Sequence, residues 1–239
     1  FWHLLRDHRK WGIGASYVNT LGQTLRLWLI KFFLGTEAVG LFAFAHGFFA
    51  NIVALAPLPS VFAPIVSRYV DRAKELARLI AGALKYQFLW CLVIVIGTLA
   101  LAPWFISVVF PKYTSATPLF LLMMAAFPWN GVSVILNPVF AALKEQRSFF
   151  FSTTLKVISS TVLLPLLIPL FGVLGIGIEF VLTTAGSALE RYVRMRKLSP
   201  APELSLRRLL SLGEDDRTVA KVFLTSLKGY RGLFSFFLR

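Results

Sequence analysis

Three charged side chains lie deep inside predominantly apolar stretches of the sequence: Arg26, Lys156 and Glu179. A charge near the centre of a membrane helix costs about 2.5–3.5 kcal/mol on insertion scales. Each is therefore expected to meet a partner, a water-filled cavity or a ligand. Counted from the outer ends of their helices at 1.5 Å per residue, Arg26 lies roughly 13 Å deep and Glu179 roughly 9 Å deep. These similar depths predict a contact or a shared cavity between the two.

Amide and hydroxyl side chains accompany the charges at helical spacing. One stripe recurs at steps of four, three, four and three, and so shares a helix face: Gly12, Ser16, Asn19, Gln23 and Arg26. Asn130 and Asn137 share a face in a later stretch, and Lys156 shares one with Thr153 and Ser160. Stripes without a charge are typical of helix-packing seams joined by hydrogen bonds. Stripes with a charge favour a face that meets protein or water.

Most of the charged residues inside the apolar stretches are cations. Cations outnumber acids among them: Arg26, Lys31, Lys85 and Lys156 against Glu179 and Glu190. A cavity lined in this way favours an anion, above all phosphate or pyrophosphate. The candidate cargo-binding residues are Arg26, Lys156, Gln23, Asn19, Asn130 and Asn137. Glu179 and His46 are candidates for coupling to protons or sodium, since both can titrate and imidazole does so near neutral pH in water.

Other charges have simpler interpretations. Lys31 and Lys85 are expected close to the membrane interfaces, where a lysine stem can lie along the helix while its ammonium reaches water. Glu190 and Arg194 are four residues apart, which predicts a local ion pair.

Enzyme and metal chemistry find no support in the sequence. It contains no P-loop, nucleophile elbow or HExxH motif. One Cys and three scattered His residues do not form a metal site. No catalytic residue, metal or cofactor is predicted.

The surrounding elements are predicted to be membrane helices. The chain is 57% hydrophobic with a mean hydropathy of +0.72, and 15% of its 239 residues are charged, against about 25% in soluble domains. About 20 apolar helical residues span a bilayer, which predicts an all-α integral membrane protein. Six spans of this kind can be drawn, at about 12–34, 37–67, 79–110, 117–143, 149–170 and 173–193.

Lys and Arg cluster at alternate connections, which predicts the orientation. The last cluster, after the sixth span, comprises Arg191, Arg194, Arg196 and Lys197. Both termini are therefore expected in the cytoplasm, with the chain spanning the cytoplasmic (inner) membrane several times. The net charge of +14 is explained by this rim and its attraction to anionic lipids, so no nucleic-acid partner is predicted.

Three regions follow: a cytoplasmic segment 1–10, a six-helix transmembrane lobe 11–197 and a cytoplasmic basic amphipathic tail 198–239, for which truncation of a longer domain is the alternative. The chain starts Phe-Trp-His without an initiator Met, and we expect its natural start upstream.

Gly35 interrupts the apolar run FFLGTEAVGLFAFA and predicts a helical hairpin with a left-handed cap. The small residues Gly40, Ala43, Gly47, Ala50 and Ala54 follow at helical spacing and predict a packing seam.

Several blocks carry a resemblance to a known family: FLGTEAVGLFAFA, LAPLPSVFAPIVSRYVDR, FPKYTSATPLFLL, ALKEQR and LLIPLFGVLGIGIEF. Together they cover most of 11–197, and in their order and spacing they resemble the polysaccharide (O-antigen type) flippases of the multidrug/oligosaccharidyl-lipid/polysaccharide exporter superfamily. The resemblance implies two six-helix lobes around a central cavity that opens alternately to either side. This chain resembles the C-terminal lobe. Family members often show an acidic residue near the position of Arg26, and here the sequence departs from them.

The resemblance also implies a cargo and partners. The cargo would be a polyprenyl-pyrophosphate-linked oligosaccharide, flipped for cell-surface polysaccharide export. The partners would be an N-terminal lobe or a second six-helix chain, membrane lipids and polysaccharide assembly proteins. Three alternatives remain open: a lipid II flippase, a multidrug or small-molecule antiporter of the same superfamily, which would favour an acidic cavity, and a membrane scaffold subunit without transport.

Overall fold

The computed structural model describes residues 2–54, 58–70 and 72–198, and every regular element within these ranges is a helix. The elements are α1 (Trp2–Ala54), α2 (Leu58–Arg68), α3 (Ala73–Val109), a 3-10 helix (Pro111–Ala116), α4 (Thr117–Met124), α5 (Phe127–Ala142), α6 (Gln146–Phe171) and α7 (Val173–Leu198). The predicted all-α fold is confirmed. The predicted tail 198–239 lies outside the described residues beyond Leu198.

Helix α1 folds back on itself at Gly35. The φ of Gly35 is 84° and its ψ is −177°, a combination that is essentially restricted to glycine. Arg26 and His46 would lie roughly 30 Å apart along a straight helix at 1.5 Å per residue. Instead, the Arg26 guanidinium carbon is 5.7 Å from the Phe180 ring centroid, and the His46 ring centroid is 5.9 Å from it. The predicted hairpin is therefore present, with a first arm at 10–34 and a second arm at 36–54.

The lengths of the apolar helices suit a membrane. Among the described residues, four helices are long and apolar enough to cross one, and the bent pair formed by Pro111–Met124 and Phe127–Ala142 gives up to five. The first of the four, Lys10–Ala54, has 45 residues, about twice the length that one crossing needs, and the fold at Gly35 divides it. The count of six crossings and the orientation of the termini stay predictions.

The second predicted span was expected to bend at Pro57, Pro59 and Pro64, and the fourth was expected to be one continuous helix. In the second, α1 ends at Ala54 and α2 begins at Leu58, and residues 55–57 lie outside the described residues. The fourth span bends by 54° between α4 and α5. Pro128 lies in the first turn of α5, where its missing N–H costs nothing, and its ring clashes with a continuing helix before it.

Two glycines of the small-residue seam predicted in the second arm of α1 have no close neighbour in the described part of the chain. A Cβ at Gly40 or Gly47 would meet nothing within 4 Å. The opposite face of the arm is buried instead, and contributes Ala38, Phe42, Ala45 and Phe49 to a core with α3, α4, α6 and α7. A close approach occurs elsewhere, because a Cβ on Gly22 would lie 2.5 Å from Val157 Cγ2. The first arm of α1 and helix α6 are therefore in intimate contact.

Candidate functional site

A polar cavity of about 270 Å³ lies between the two arms of α1 and helices α5, α6 and α7. Six of the eight site residues predicted from the sequence line it: Asn19, Gln23, Arg26, His46, Asn130 and Lys156. They come from four separate stretches of the chain. The fold at Gly35 makes this possible, because it brings the first and second arms to the same cavity.

Arg26 and Glu179 form a buried ion pair next to the cavity. Arg26 Nη2 donates to Glu179 Oε1 at 2.9 Å and to Ser160 Oγ at 3.0 Å. The Glu179 side chain has no solvent exposure, and that of Arg26 is 11% exposed. The Thr183 hydroxyl also lies within hydrogen-bond distance of Glu179 Oε1, at 3.1 Å. The contact predicted from the depths of Arg26 and Glu179 is confirmed, and it joins α1, α6 and α7.

Several polar atoms around this pair are buried without a hydrogen-bond partner in the described part of the chain. They are Arg26 Nε, Glu179 Oε2 and the hydroxyl oxygen of Thr184, which lines the cavity. Buried polar groups in proteins are generally hydrogen-bonded to protein, water or ligand. These three atoms therefore have unused hydrogen-bonding capacity next to the cavity.

Lys156 adds a second cation to the cavity wall. Over the residues that the structure describes, no carboxylate pairs with it. Glu179 neutralises Arg26, so Lys156 leaves the lining with one positive charge in excess when His46 is neutral. Such a lining attracts anions.

His46 lines the cavity from the second arm of α1. Its ring lies 5.4 Å from that of Phe42 and meets the Phe180 ring edge-on at 5.9 Å. Because the Arg26 guanidinium lies over the same Phe180 ring, the imidazole is a close neighbour of the ion pair. Its role in ion coupling, like that of Glu179, stays a prediction.

Asn137 lies away from the other predicted residues and contacts a cation that the sequence did not single out. Its Oδ1 accepts from Arg191 Nη1 at 2.7 Å, while Arg191 Nε donates to Ser152 Oγ at 3.2 Å. The Arg191 guanidinium also lies 5.0 Å from the Phe149 ring centroid. Arg191 is 8% exposed, so its side chain is buried in the bundle, which the sequence did not predict. Its spacing of seven residues from Thr184 places both on one helix face, which was the available signal.

The predictions for the other charged positions have different outcomes. The ion pair of Glu190 and Arg194 is confirmed, with Arg194 Nε donating to Glu190 Oε1 at 2.8 Å. Lys31 is exposed, and its ammonium lies 5.6 Å from the Trp28 ring centroid. Lys85, in α3, is 7% exposed, so its side chain is buried, and its position relative to a membrane interface stays a prediction. Among the described residues, no group of three or more His, Cys, Asp or Glu could hold a metal ion.

Comparison with known proteins gives a match in structure. No protein-family model and no curated protein matches the sequence. The fold is similar to the solved structure of a MOP superfamily transporter from Pyrococcus furiosus, with a TM-score of 0.72, 20% sequence identity and coverage of 93% of this chain. The binding pocket of that transporter has a reverse polarity that suggests a different function for it. The match covers 51% of the transporter. This chain therefore has the fold of about half of a MOP superfamily transporter.

Proposed function

We propose that the chain forms one lobe of a transporter that flips a polyprenyl-pyrophosphate-linked oligosaccharide across the cytoplasmic membrane. The observation that carries the proposal is the cavity of about 270 Å³, in which Arg26 and Lys156 stand beside amide side chains inside an apolar bundle. A cation near the centre of a membrane protein is expensive unless it has a partner or a ligand. Lys156 has no carboxylate partner among the described residues, which favours an anionic ligand.

The lining offers a chemically distinct contact for each part of this cargo. Lys156 compensates pyrophosphate charge, and the planar Arg26 guanidinium can donate further hydrogen bonds to phosphate oxygens. The amides of Asn19, Gln23 and Asn130 can both donate to and accept from sugar hydroxyls. The polyprenyl tail stays in the lipid, so only the headgroup needs the polar cavity.

A second lobe would complete the site. A volume of about 270 Å³ lies just below the range of about 300–1,000 Å³ that is typical of small-molecule pockets, and an oligosaccharide is larger still. Asn19 and Gln23 are exposed at its open side. An N-terminal lobe or a second six-helix chain facing them would close the cavity, and rocking of the two lobes would expose it alternately to either side. Titration of His46 or Glu179 would couple that movement to ions.

The test is a neutral-cavity variant of the full-length transporter that contains this lobe. Arg26→Gln is combined with Glu179→Gln, so that no buried charge is left unpaired, and Lys156→Gln is added. Loss of a hydrogen bond to a charged group costs about 1.5–3 kcal/mol, or about tenfold to a hundredfold in affinity. We expect surface polysaccharide to fall by a similar factor and lipid-linked oligosaccharide to accumulate inside the cell.

Lys31→Gln is the matched control, because it removes an exposed cation from the same helix. It should leave export unchanged. Normal export by the triple variant at normal protein levels would sink the proposal and favour a scaffold without transport. Retained or increased efflux of organic cations by the triple variant, with polysaccharide export unaffected, would favour the antiporter.

A further inference from the structure

A second recess, of about 240 Å³, lies between α6 and α7. Its polar lining comprises Ser152, Lys156, Ser159, Thr183, Ser187 and Glu190. Lys156 is the residue that this lining shares with the first cavity. The two cavities therefore meet different faces of α6 and have Lys156 in common.

Two serine hydroxyl groups of the recess differ from the threonine hydroxyl groups of α6. Thr153, Thr154 and Thr161 of α6 each donate to the backbone carbonyl four residues earlier, at 2.9 Å. Ser159 and Ser187 donate no hydrogen bond within the described residues. Helix serines commonly satisfy themselves by such back-bonding. These two are therefore available as donors to an occupant.

The surroundings of the recess carry a positive excess. Lys156 has no carboxylate partner in the described ranges. Glu190 does reach the recess, but its Oε1 is neutralised by Arg194 Nε at 2.8 Å, and its buried Oε2 has no partner in the described ranges. Arg191 stands directly behind Ser152 and donates to its hydroxyl. An anionic group thus finds an ammonium, free hydroxyls and a nearby guanidinium.

The recess opens on the apolar outside of the bundle. Leu155 and Leu182 belong to its lining and are 55% and 50% exposed. In a membrane, a rim of this kind contacts lipid chains. A recess that combines several polar side chains with an apolar rim matches a lipid, whose charged headgroup and hydrocarbon tails are joined in one molecule.

We propose that this recess binds the phosphate of an anionic glycerophospholipid headgroup. Lys156 supplies the charge, Ser159 and Ser187 donate hydrogen bonds, and the acyl chains lie along the exposed leucines. Basic pockets between transmembrane helices bind anionic headgroups in this way. Because Lys156 also lines the first cavity, an occupied recess holds its ammonium away from that cavity and so links lipid composition to cargo binding. The lipid site does not depend on which cargo the first cavity carries.

Gly186 provides a substitution that fills the recess. It belongs to the lining, and a Cβ there would meet nothing within 4 Å, so the side chain of Gly186→Leu starts from open space at the recess. Gly97→Leu is the matched control, since Gly97 has the same free space on α3 and is not part of the recess. Equal melting temperatures of the two variants in detergent would establish that both are folded.

The measurement is a titration of the delipidated full-length transporter with phosphatidylglycerol, followed by native mass spectrometry. We expect tight binding to the wild type and to Gly97→Leu. Binding to Lys156→Gln should weaken about tenfold or more, as for loss of a charged hydrogen bond. Binding to Gly186→Leu should weaken by a similar factor, because its side chain occupies the recess. Diacylglycerol, which lacks the phosphate, should not compete. Equal affinity of the two leucine variants, competition by diacylglycerol, or binding of polyprenyl phosphate alone would overturn the lipid site.

Discussion

Arg26 and Arg191 are both buried in the bundle, yet their charges are compensated differently. Arg26 pairs with the carboxylate of Glu179 at 2.9 Å. Arg191 pairs with no carboxylate in the described chain and is held by an amide oxygen, a hydroxyl oxygen and an aromatic ring. The first site is close to electrically neutral as a unit, whereas the second keeps its positive charge. The same side chain thus serves as half of an ion pair at one depth and as a source of positive potential at another.

The largest expected loss of stability comes from removing the carboxylate of the Arg26–Glu179 ion pair. Glu179→Gln leaves the Arg26 guanidinium buried without a counter-charge, and removal of one partner of a buried pair costs about 3–5 kcal/mol. We expect a strongly reduced melting temperature in detergent and low yield of folded protein. The double variant Arg26→Gln, Glu179→Gln should recover much of the loss, because it leaves no buried charge unpaired.

The recovery is what identifies the ion pair as the cause. If the double variant melts no higher than Glu179→Gln alone, the carboxylate stabilises the protein through Thr183 and not through Arg26. The two arginine sites would then differ less than their contacts indicate.

A smaller loss of stability is expected from substitution of Arg191. Arg191→Gln removes the hydrogen bonds to Asn137 and Ser152 but leaves no unpaired charge behind, so the cost is about 1–3 kcal/mol. Arg191→Lys should not restore stability, because an ammonium cannot reproduce the planar fork that contacts both partners and the Phe149 ring. Melting temperatures of the three proteins measure this. A loss in Arg191→Gln as large as that in Glu179→Gln would contradict the distinction between the sites.

The two sites also differ in how well the sequence predicted them. Arg26 and Glu179 could be paired because each interrupts an apolar stretch and both can be counted from a predicted turn. Arg191 precedes Arg194, Arg196 and Lys197, and such a basic run is typical of a water-exposed rim. Whether its first member is buried depends on how α5 and α6 pack over α7, which is a long-range property that local composition does not encode.

The fold, too, could be predicted only in part from the sequence. Apolar stretches predicted the helical regions because helices satisfy their own backbone in lipid. The buried face of each helix was harder to predict, since core-facing and lipid-facing positions are both apolar. In the second arm of α1 the small residues Gly40 and Gly47 face outward, while Phe42 and Phe49 enter the core. The break before Pro128 was also missed, since hydrophobicity continues through it.

The smallest expected effect tests whether Glu190 compensates Arg191 from a distance. Glu190 is its neighbour in the chain, but its Oε1 is bonded to Arg194, and the two side chains are 22% and 37% exposed. Removal of a partly exposed pair of this kind costs about 0.2–1 kcal/mol, so Glu190→Gln should lower the melting temperature only slightly. A double-mutant cycle with Arg191→Gln should give additive losses. A loss near that of Glu179→Gln, or strong coupling in the cycle, would mean that Arg191 does have a counter-charge and that the two buried arginines are compensated alike.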